Sequence, residues 1–354
     1  MSGTSLDGVD AVLAELAAVP PRLIGHFHHV FPQELRRELL ALNHSGSGEL
    51  RRAALAANAL AHSYASAVRT LLATHSAVEP ITAIGCHGQT VRHQPGEGYS
   101  VQLVNGALLA ELTGISVVCD FRSRDIAAGG QGAPLAPAFH AAMFARRDIH
   151  RAIVNIGGIA NLTDLPPNGN VMGFDCGPGN LLLDAWAERH LKRPIDTDGI
   201  WSRSGHVIPE LLQKLLADEY FRRAPPKSSG RETFNLDWLS RHLDGSEPAA
   251  NVQATLLALT ARTIAQAIGS FCMDAREVYL CGGGARKRAL VERLAQELAP
   301  RKVAVTDVLG VAAEHVEALA FAWLAQRALD SAPGNLPAVT GARGPRVLGA
   351  IYRA

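Results

Sequence analysis

The sequence has neither a large excess of charge nor a long run of like charges. Its 34 basic residues nearly balance its 33 acidic residues, so the formal net charge is +1 over 354 residues. Proteins that bind a nucleic-acid backbone usually carry a basic patch or stripe, so nucleic acid is not expected as a partner. No stretch approaches the roughly 20 apolar residues of a membrane span, so membrane association is not expected either.

Cysteine is scarce and irregularly placed. The five cysteines form no C-x-x-C pair, and their odd number and scatter argue against a disulfide framework or a cysteine zinc site. Among the fourteen histidines, neither the group His26, His28 and His29 nor the pair His87 and His93 has cysteine or carboxylate residues at ligand spacing, so no zinc site is predicted. The amino end has neither the basic leader nor the apolar segment of a signal peptide. We therefore expect a cytoplasmic protein.

Length and composition indicate an α/β protein of two domains. The chain is 47% hydrophobic and contains 33 glycines, and its 354 residues exceed what one hydrophobic core usually supports. Apolar periodicity predicts alternating strands and helices, with hairpin-like spacing at 153–165. The glycine-, alanine- and proline-rich residues 122–137 are predicted to form a loop near the domain hinge. Predicted helices are 49–76, 181–191, 209–221, 252–271, 287–298 and 316–329, and predicted strands are 81–85, 115–119, 152–156, 171–174, 277–281 and 303–305.

The first motif that could carry chemistry covers residues 2–10, Ser-Gly-Thr-Ser-Leu-Asp-Gly-Val-Asp. Its glycines let the backbone turn tightly and present N–H groups to an anion, and its hydroxyls add donors. The carboxylates of Asp7 and Asp10 could orient hydrated Mg²⁺. The motif favours a phosphate-binding loop, with an ordinary polar turn as the alternative.

Two further glycine motifs follow predicted strands. Residues 155–163 contain Gly157 and Gly158 within a β-rich run, which is typical of a hairpin bend or of a close approach by a ligand. Residues 278–285 run from a strand into three glycines ahead of a helix, where a nucleotide can lie against bare backbone. The G-x-G-x-x-G spacing of a dinucleotide site is absent there.

Asp175 lies at the predicted end of a strand and is followed by Cys-Gly-Pro-Gly-Asn and a helix. A carboxylate at such a place can be ionised at neutral pH and directed at a proton in a cleft, which suits a general base. The alternative is a turn-forming or helix-capping Asp.

Polar residues of another kind cluster after the strands at 81–85 and 115–119. His87, Thr90 and Arg122 have the side chains that a hydroxyl-rich, acidic substrate requires, because arginine can bind a carboxylate through two hydrogen bonds. Taken singly, each could be a solvated surface residue. Glu317 is acidic within an apolar helical stretch, and either binds a sugar hydroxyl or marks the solvent face.

The motifs together resemble one known family. Three glycine turns after strands resemble the phosphate and adenosine loops of the actin, hexokinase and Hsp70 superfamily. With Gly-Cys-His-Gly-Gln-Thr at 85–90, Asp-Phe-Arg at 120–122, Phe-Asp-Cys-Gly-Pro-Gly-Asn at 174–180 and Glu-Ala-Leu-Ala-Phe-Ala-Trp at 317–323, the chain resembles the anhydro-N-acetylmuramic acid kinases over its whole length.

The resemblance implies a two-domain, actin-like (RNase H-like) α/β fold with the active-site cleft between domains, divided as 1–128 plus 335–354 and 129–334. It implies an ATP- and Mg²⁺-dependent homodimer that opens the 1,6-anhydro ring of anhydro-N-acetylmuramic acid with water and phosphorylates O6 in cell-wall recycling. Asp175 would be the catalytic base. The ATP-binding residues would be Gly3, Thr4, Ser5, Leu6, Asp7, Gly8, Val9, Asp10, Asn155, Gly157, Gly158, Gly282, Gly283 and Gly284. The sugar contacts would be His87, Thr90, Arg122, Asn180 and Glu317.

The sequence departs from the family pattern at its amino end. Family members begin with a strand that leads into the first phosphate loop, whereas here the loop begins at residue 1, and unpaired strand edges are expected to lower stability and activity. His315 also stands where an aromatic residue such as Trp is expected. Two rival functions remain: a non-enzymatic sugar-binding regulator on the same fold, and a serine hydrolase using Ser5, although no G-x-S-x-G elbow surrounds that residue.

Overall fold

A computed structural model describes residues 1–3, 6–18, 20–75, 80–230 and 233–354. The strands are β1 (Gly8–Glu15), β2 (Arg22–Val30), β3 (Ile84–Gly85), β4 (Gln89–Gln94), β5 (Tyr99–Leu103), β6 (Val117–Cys119), β7 (Arg151–Ile156), β8 (Ile159–Leu165), β9 (Met172–Pro178), β10 (Glu277–Cys281), β11 (Lys302–Val305) and β12 (Ala350–Tyr352). The helices are α1 (Gln33–Ala41), α2 (Glu49–Thr74), α3 (Gly106–Thr113), α4 (Ser123–Ala127), α5 (Ala136–Phe144), α6 (Leu181–Leu191), α7 (Ile200–Ser204), α8 (Pro209–Leu216), α9 (Glu219–Arg222), α10 (Leu236–Ser240), α11 (Ala249–Phe271), α12 (Arg288–Leu298), α13 (Val316–Leu329) and α14 (Pro337–Thr340).

The chain forms two compact α/β units, as the length and the alternation of elements predict. The first unit contains Met1–Phe139 and His315–Ala354, and the second contains His140–Glu314. The expected division after residues 128 and 334 therefore differs from the observed one at both places. Helix α13 belongs to the first unit because Phe321 and Leu324 pack with Val118 and Phe121 in one buried cluster.

The first unit contains the β1–β2 hairpin, the β4–β5 hairpin and a three-stranded sheet in the order β12-β6-β3. Its larger buried cluster joins α2 to these strands, because Leu60 and Tyr64 lie on the buried face of α2 and pack with residues such as Leu109 and Val117. Helix α2 was predicted over 49–76 from its apolar period, and the structure confirms it as Glu49–Thr74.

A groove of about 820 Å³ lies in the first unit between β1 and β3. Among the described strands, β1 pairs only with β2 and β3 pairs only with β6, so the other edge of each strand lines the groove. Met1 already pairs with β1 at one end: its amine donates to the Asp10 carbonyl, and the Asp10 N–H donates to the Met1 carbonyl, each at 2.8 Å. Burial lowers the pKa of that amine. Met1 and Asp10 thus make the exchange of hydrogen bonds that is typical of an antiparallel pair.

The second unit is built on a five-stranded sheet in the order β11-β10-β7-β8-β9. Strand β10 runs parallel to β7 and β11, whereas β7, β8 and β9 form an antiparallel meander. Helix α11 contributes a continuous buried surface that includes Leu256, Leu259 and Ile264. The predicted mixture of parallel pairing with an antiparallel part at 153–165 is confirmed, because β7 and β8 are joined through the Gly157–Gly158 turn.

Most long elements agree with the sequence prediction, and the differences have local causes. The predicted loop at 122–137 contains helix α4 and the start of α5. The predicted helix at 209–221 ends at Leu216, because the carboxylate of Asp218 caps a separate short helix by accepting from the N–H of Tyr220 at 2.9 Å. No helix in the part of the chain that the structure describes is long and apolar enough to cross a membrane.

Candidate active site

The turn between β7 and β8 interlocks with the turn that follows β9 in the second unit. The N–H groups of Gly179 and Leu181 donate to the Gly158 carbonyl at 2.9 and 3.0 Å, and the N–H of Asn180 donates to the Gly157 carbonyl at 2.8 Å. A Cβ atom on Gly179 would lie 2.4 Å from the Gly157 carbonyl oxygen, so only glycine allows this approach. Two motifs that are separate in the sequence therefore form one rigid structure.

The three glycines after β10 pack against the same strand end. Gly282 has a φ of +78°, and a Cβ atom there would lie 2.3 Å from Asn155 Oδ1. A Cβ atom on Gly284 would lie 2.3 Å from Ile156 Cγ2. Gly283 is exposed, and a Cβ atom there would meet nothing within 4 Å. The structure thus brings the predicted Asn155, Gly157, Gly158 and Gly282–Gly284 together at one edge of the sheet.

Asp175 lies in β9, four residues ahead of Gly179 in the turn that follows this strand, and is half-buried. Its Oδ2 accepts a hydrogen bond from the N–H of Ser229 at 2.9 Å. Its own N–H donates to the Lys227 carbonyl at 3.1 Å. The segment at 227–229 therefore holds both the side chain and the main chain of Asp175. The alternative of a helix-capping role does not apply, since α6 begins at Leu181.

Tyr220 supports Asp175 from helix α9. Its hydroxyl donates to the Asp175 carbonyl at 2.8 Å, and its ring lies 4.9 Å from the Lys227 ammonium. The Lys227 ammonium also donates to the Tyr220 carbonyl at 3.2 Å. Burial, with the neighbouring Asp175 charge adding to it, raises the pKa of Tyr220, so the hydroxyl stays protonated and remains a donor.

Sequence reasoning did not identify Tyr220, Lys227 or Ser229 as parts of the site. Tyr220 lies within a stretch whose periodicity predicts only an amphipathic helix. Lys227 and Ser229 act on Asp175 through main-chain groups, and main-chain contacts leave no residue-type signal. The polar segment after Pro225 and Pro226 was the one available hint that a structured loop lies there.

The first phosphate-loop motif lies in the first unit, and its second half is a strand. Gly8, Val9 and Asp10 belong to β1, so their prediction as loop residues is wrong: antiparallel pairing with Val30, His29 and His28 of β2 makes this segment a strand. The carboxylate of Asp10 is bound to His28 Nδ1 at 2.8 Å. Thr4 and Ser5 lie outside the described residues.

Hydrogen bonds hold the remaining residues of the first loop in place. The N–H of Leu6 donates to the Gly3 carbonyl at 3.3 Å, and the N–H of Phe31 donates to the Asp7 carbonyl at 3.0 Å. Leu6 is buried with a φ of +55°, whereas Asp7 is exposed. Gln89 reaches the loop from β4, since its Nε2 donates to the Gly3 carbonyl at 3.2 Å. The loop is therefore held against the first unit, with the Asp7 carboxylate accessible.

The expected sugar contacts in the first unit lie in different surroundings. His87 is only 5% exposed and is hydrogen-bonded to Arg122 at 2.8 Å. Thr90 and Glu317 are half-buried, and the Thr90 hydroxyl accepts from Gln102 Nε2 at 3.1 Å. In the second unit, Asn180 is half-buried and its Nδ2 donates to the Ile156 carbonyl at 3.1 Å.

A family model described as anhydro-N-acetylmuramic acid kinase matches residues 1–354. The chain belongs to the anhydro-N-acetylmuramic acid kinase family. The family assignment confirms the resemblance that the motifs predicted, and the chain is a kinase of that family.

Proteins named anhydro-N-acetylmuramic acid kinase are similar to this family member over its full length. The protein from Nitrosomonas europaea is 58% identical over 358 residues, which cover 100% of this chain and 98% of that protein. The protein from Bordetella pertussis is 56% identical over 361 residues, with coverage of 100% and 95%. The protein from Pseudomonas syringae pv. syringae is 52% identical over 357 residues, with coverage of 100% and 98%.

Solved structures of other kinases are similar to this family member at a much lower level. A ROK family glucokinase from Streptomyces griseus in complex with glucose and AMPPNP is 12% identical, with a TM-score of 0.34 and coverage of 84% of this chain and 89% of that chain. A ROK hexokinase from Thermus thermophilus is 16% identical, with a TM-score of 0.30 and coverage of 80% and 85%.

Proposed function

We propose that the chain is an ATP-dependent kinase that opens the 1,6-anhydro ring of 1,6-anhydro-N-acetylmuramic acid with water and phosphorylates O6. The products are N-acetylmuramic acid 6-phosphate and ADP, which places the activity in cell-wall recycling. Family membership supports the substrate class. The observation that carries the mechanism is the position of Asp175, a carboxylate held by the Ser229 N–H and located just ahead of the interlocked glycine turns.

Asp175 acts as the general base in this proposal. It takes a proton from a water molecule as the water oxygen bonds to the anomeric carbon of the sugar. The bond between that carbon and O6 breaks, O6 bonds to the γ-phosphorus of ATP, and the bond from that phosphorus to the ADP oxygen breaks. The proton on Asp175 leaves to solvent after the products depart. The Ser229 N–H keeps the carboxylate oriented through these steps.

The nucleotide is assigned to the glycine turns and to the first phosphate loop. The structure supports the fit of ATP through Gly283, where a Cβ atom would meet nothing within 4 Å, and through the backbone of the adjoining Gly282 turn. Gly3, Leu6 and Asp7 of the first loop, with Thr4 and Ser5, would contact the phosphates. Gly8, Val9 and Asp10 continue this motif as a strand and would support the loop.

Mg²⁺ is part of the proposal, and the donor set of the first loop fits a largely hydrated ion. The side chains of Asp7 and Asp10 are both exposed, and Asp10 also contacts His28. These two carboxylates would orient the ion's waters, with the remaining ligands supplied by phosphate oxygens. When bound, Mg²⁺ neutralises charge that develops on the transferring phosphoryl group.

The proposed sugar contacts are Thr90, Arg122, Asn180 and Glu317. Arg122 can bind the lactyl carboxylate of the sugar, because a guanidinium group matches a carboxylate geometrically. We assign no direct sugar contact to His87, since it is buried and hydrogen-bonded to Arg122.

We extend the proposal to a cytoplasmic homodimer. The five cysteines are buried, and their odd number and scatter along the sequence support a reducing compartment. The homodimer rests on the family resemblance, and light scattering during size-exclusion chromatography measures it directly. The non-enzymatic regulator on the same fold is not favoured, because family membership and the retained Asp175 both support catalysis.

The test is ADP release with Mg²⁺-ATP and 1,6-anhydro-N-acetylmuramic acid, comparing the wild type with Asp175→Asn. A general base contributes roughly 10²- to 10⁴-fold, so Asp175→Asn should lose turnover by that factor and still fold. Asp237→Asn changes an exposed carboxylate of α10 and serves as the control with unchanged turnover. Phosphorus NMR of the product should show a phosphate ester at O6.

Two results would reject the proposal. ATP hydrolysis that does not depend on the sugar would remove the substrate assignment. Sugar binding by a folded wild-type protein without any ADP release would favour the regulator instead.

A further inference from the structure

His87 lies in the turn between β3 and β4, close to the first phosphate loop in the first unit. Its side chain is only 5% exposed, and its ring packs against Phe321 of α13 with 4.5 Å between ring centroids. Phe321 also contacts Phe121, the residue before Arg122, with 5.6 Å between centroids. The imidazole of His87 is therefore held between α13 and the first phosphate loop.

The hydrogen bonds of His87 determine which ring nitrogen carries the proton. Arg122 Nη2 lies 2.8 Å from His87 Nε2, and a guanidinium group can only donate. His87 Nε2 must therefore accept, so a neutral ring carries its proton on Nδ1. Nδ1 lies 3.3 Å from the Ser2 carbonyl and donates to it. Burial, together with the Arg122 charge, lowers the pKa of His87 well below its usual value, which agrees with a neutral ring.

The two neighbours of His87 are each tied to a further segment. Arg122 Nη1 donates to the Gly132 carbonyl at 2.7 Å, so the arginine also binds the loop ahead of α5. The Ser2 hydroxyl lies 2.6 Å from the Tyr64 hydroxyl and 3.3 Å from the Gly88 carbonyl. A continuous chain of hydrogen bonds thus runs from Gly132 through Arg122 and His87 to Ser2.

We propose that His87 is a positioning residue that connects Arg122 with the main chain of the phosphate loop at Ser2, and that it does not bind the sugar. The inference rests on the proposed function, which assigns the phosphates to that loop and the sugar carboxylate to Arg122. The two ring nitrogens have different roles, since Nε2 orients the arginine and Nδ1–H holds the loop.

Two substitutions separate these roles. His87→Asn places an amide nitrogen near the position of Nδ1 and retains a donor for Ser2, but it removes the acceptor for Arg122. His87→Gln places an amide oxygen near the position of Nε2 and retains that acceptor, but it removes the donor for Ser2. His93→Gln is the control, because His93 lies in the neighbouring strand β4 and bonds the Ser100 hydroxyl rather than the loop.

The two variants should each raise the KM of a different substrate. A lost hydrogen bond to an oriented group is worth roughly tenfold, so His87→Asn should raise the KM for the sugar about tenfold and leave the KM for ATP within about threefold. His87→Gln should raise the KM for ATP about tenfold and leave the KM for the sugar within about threefold. His93→Gln should change neither, and thermal melting confirms that each variant is folded.

The result that would overturn the proposal is a rise in the sugar KM in both His87 variants with an unchanged KM for ATP, which is the behaviour of a direct sugar contact. Folded variants with both constants unchanged would overturn it equally. Calorimetry with ADP alone tests the inference without the reaction. Weaker ADP binding by His87→Gln, with unchanged binding by His87→Asn, would support it. This result holds even if the wild type does not turn over the sugar.

Discussion

The Tyr220 hydroxyl donates a hydrogen bond to the main-chain carbonyl of Asp175 at 2.8 Å. The donor comes from helix α9, 45 residues after its acceptor in the sequence. The Tyr220 ring packs edge-to-face with the Phe234 ring, with 5.4 Å between ring centroids. The strand that carries the proposed base is thus held in place by a buried aromatic cluster.

Tyr220→Phe removes this hydroxyl and keeps the ring. We expect kcat to fall about tenfold with little change in KM, because one hydrogen bond that orients the Asp175 strand is lost. Tyr279→Phe is the matched control in the same unit, since its hydroxyl bonds the Glu277 carboxylate at 2.9 Å. Steady-state kinetics measure the effect. An equal fall in both variants would show a general loss of stability instead.

Gly282→Ala should weaken nucleotide binding and lower stability. The residue has a φ of +78°, and the added Cβ atom would lie 2.3 Å from Asn155 Oδ1, so the turn must shift or the strand end must open. We expect a loss of about 1–3 kcal/mol in the free energy of unfolding and a weaker affinity for ADP by calorimetry. Gly283→Ala is the control for stability, because its Cβ atom would enter open space. A Gly282→Ala protein as stable as the control would contradict the argument.

Joining an extended segment of about seven alternating apolar residues ahead of Met1 should stabilise the protein. The segment would continue the antiparallel exchange between Met1 and Asp10 and fill the groove of about 820 Å³ between β1 and β3. Each kcal/mol gained would raise Tm by about 2–4 °C in a protein with units of this size. The same segment with prolines at alternate positions cannot donate to the strand edges and should give no gain. Equal melting temperatures for the two extended forms would contradict strand pairing.

His140 should make stability depend on pH below neutrality. Burial lowers the pKa of His140 to about 3 from its usual value near 6.5. Between these values the unfolded chain binds a proton that the folded chain does not, so the free energy of unfolding falls as pH falls from about 6.5 to about 3. The expected slope for this one group is about 1.4 kcal/mol per pH unit.

The slope can be assigned to His140 by comparing substitutions. Urea unfolding at pH 7, 6 and 5 should show a shallower decline for His140→Gln than for the wild type, because the titrating group is gone. His87 and His93, whose pKa values are also lowered by burial, contribute the same sign and remain in both proteins. His62→Gln alters an exposed residue and serves as the control for the substitution itself at pH 7. Parallel slopes for the wild type and His140→Gln would refute the assignment.

The elements with a strong apolar period were predicted from the sequence almost to the residue. Helices α6 and α13 and strand β10 have the predicted bounds, because their burial follows a pattern that reads directly from residue types. Strands β1 and β2 were not predicted. The glycines and carboxylates at 7–10 favour a loop locally, and only pairing with β2 makes Gly8–Glu15 a strand.

The sequence predicted the glycines and Asp175 of the candidate site. It did not predict the residues that hold Asp175 in place. Glycines are informative because a required backbone geometry restricts the residue type, as at Gly282 and Gly179. Tyr220 and Ser229 support Asp175 through hydrogen bonds involving main-chain groups, which many residue types can make. Their roles therefore depend on contacts that sequence patterns do not record.

By itself, the sequence determined the α/β class and the motifs that carry the proposed chemistry, because each follows from local residue types and their spacing. Only the tertiary structure decided which distant residues meet. Buried Asp125 binds Asn335 and Thr340, which lie 210 and 215 residues later, and so joins the end of the chain to the first unit. His87 likewise changes from a surface candidate to a buried link between Arg122 and Ser2. Such contacts form because buried polar groups must find partners wherever the folded chain supplies them.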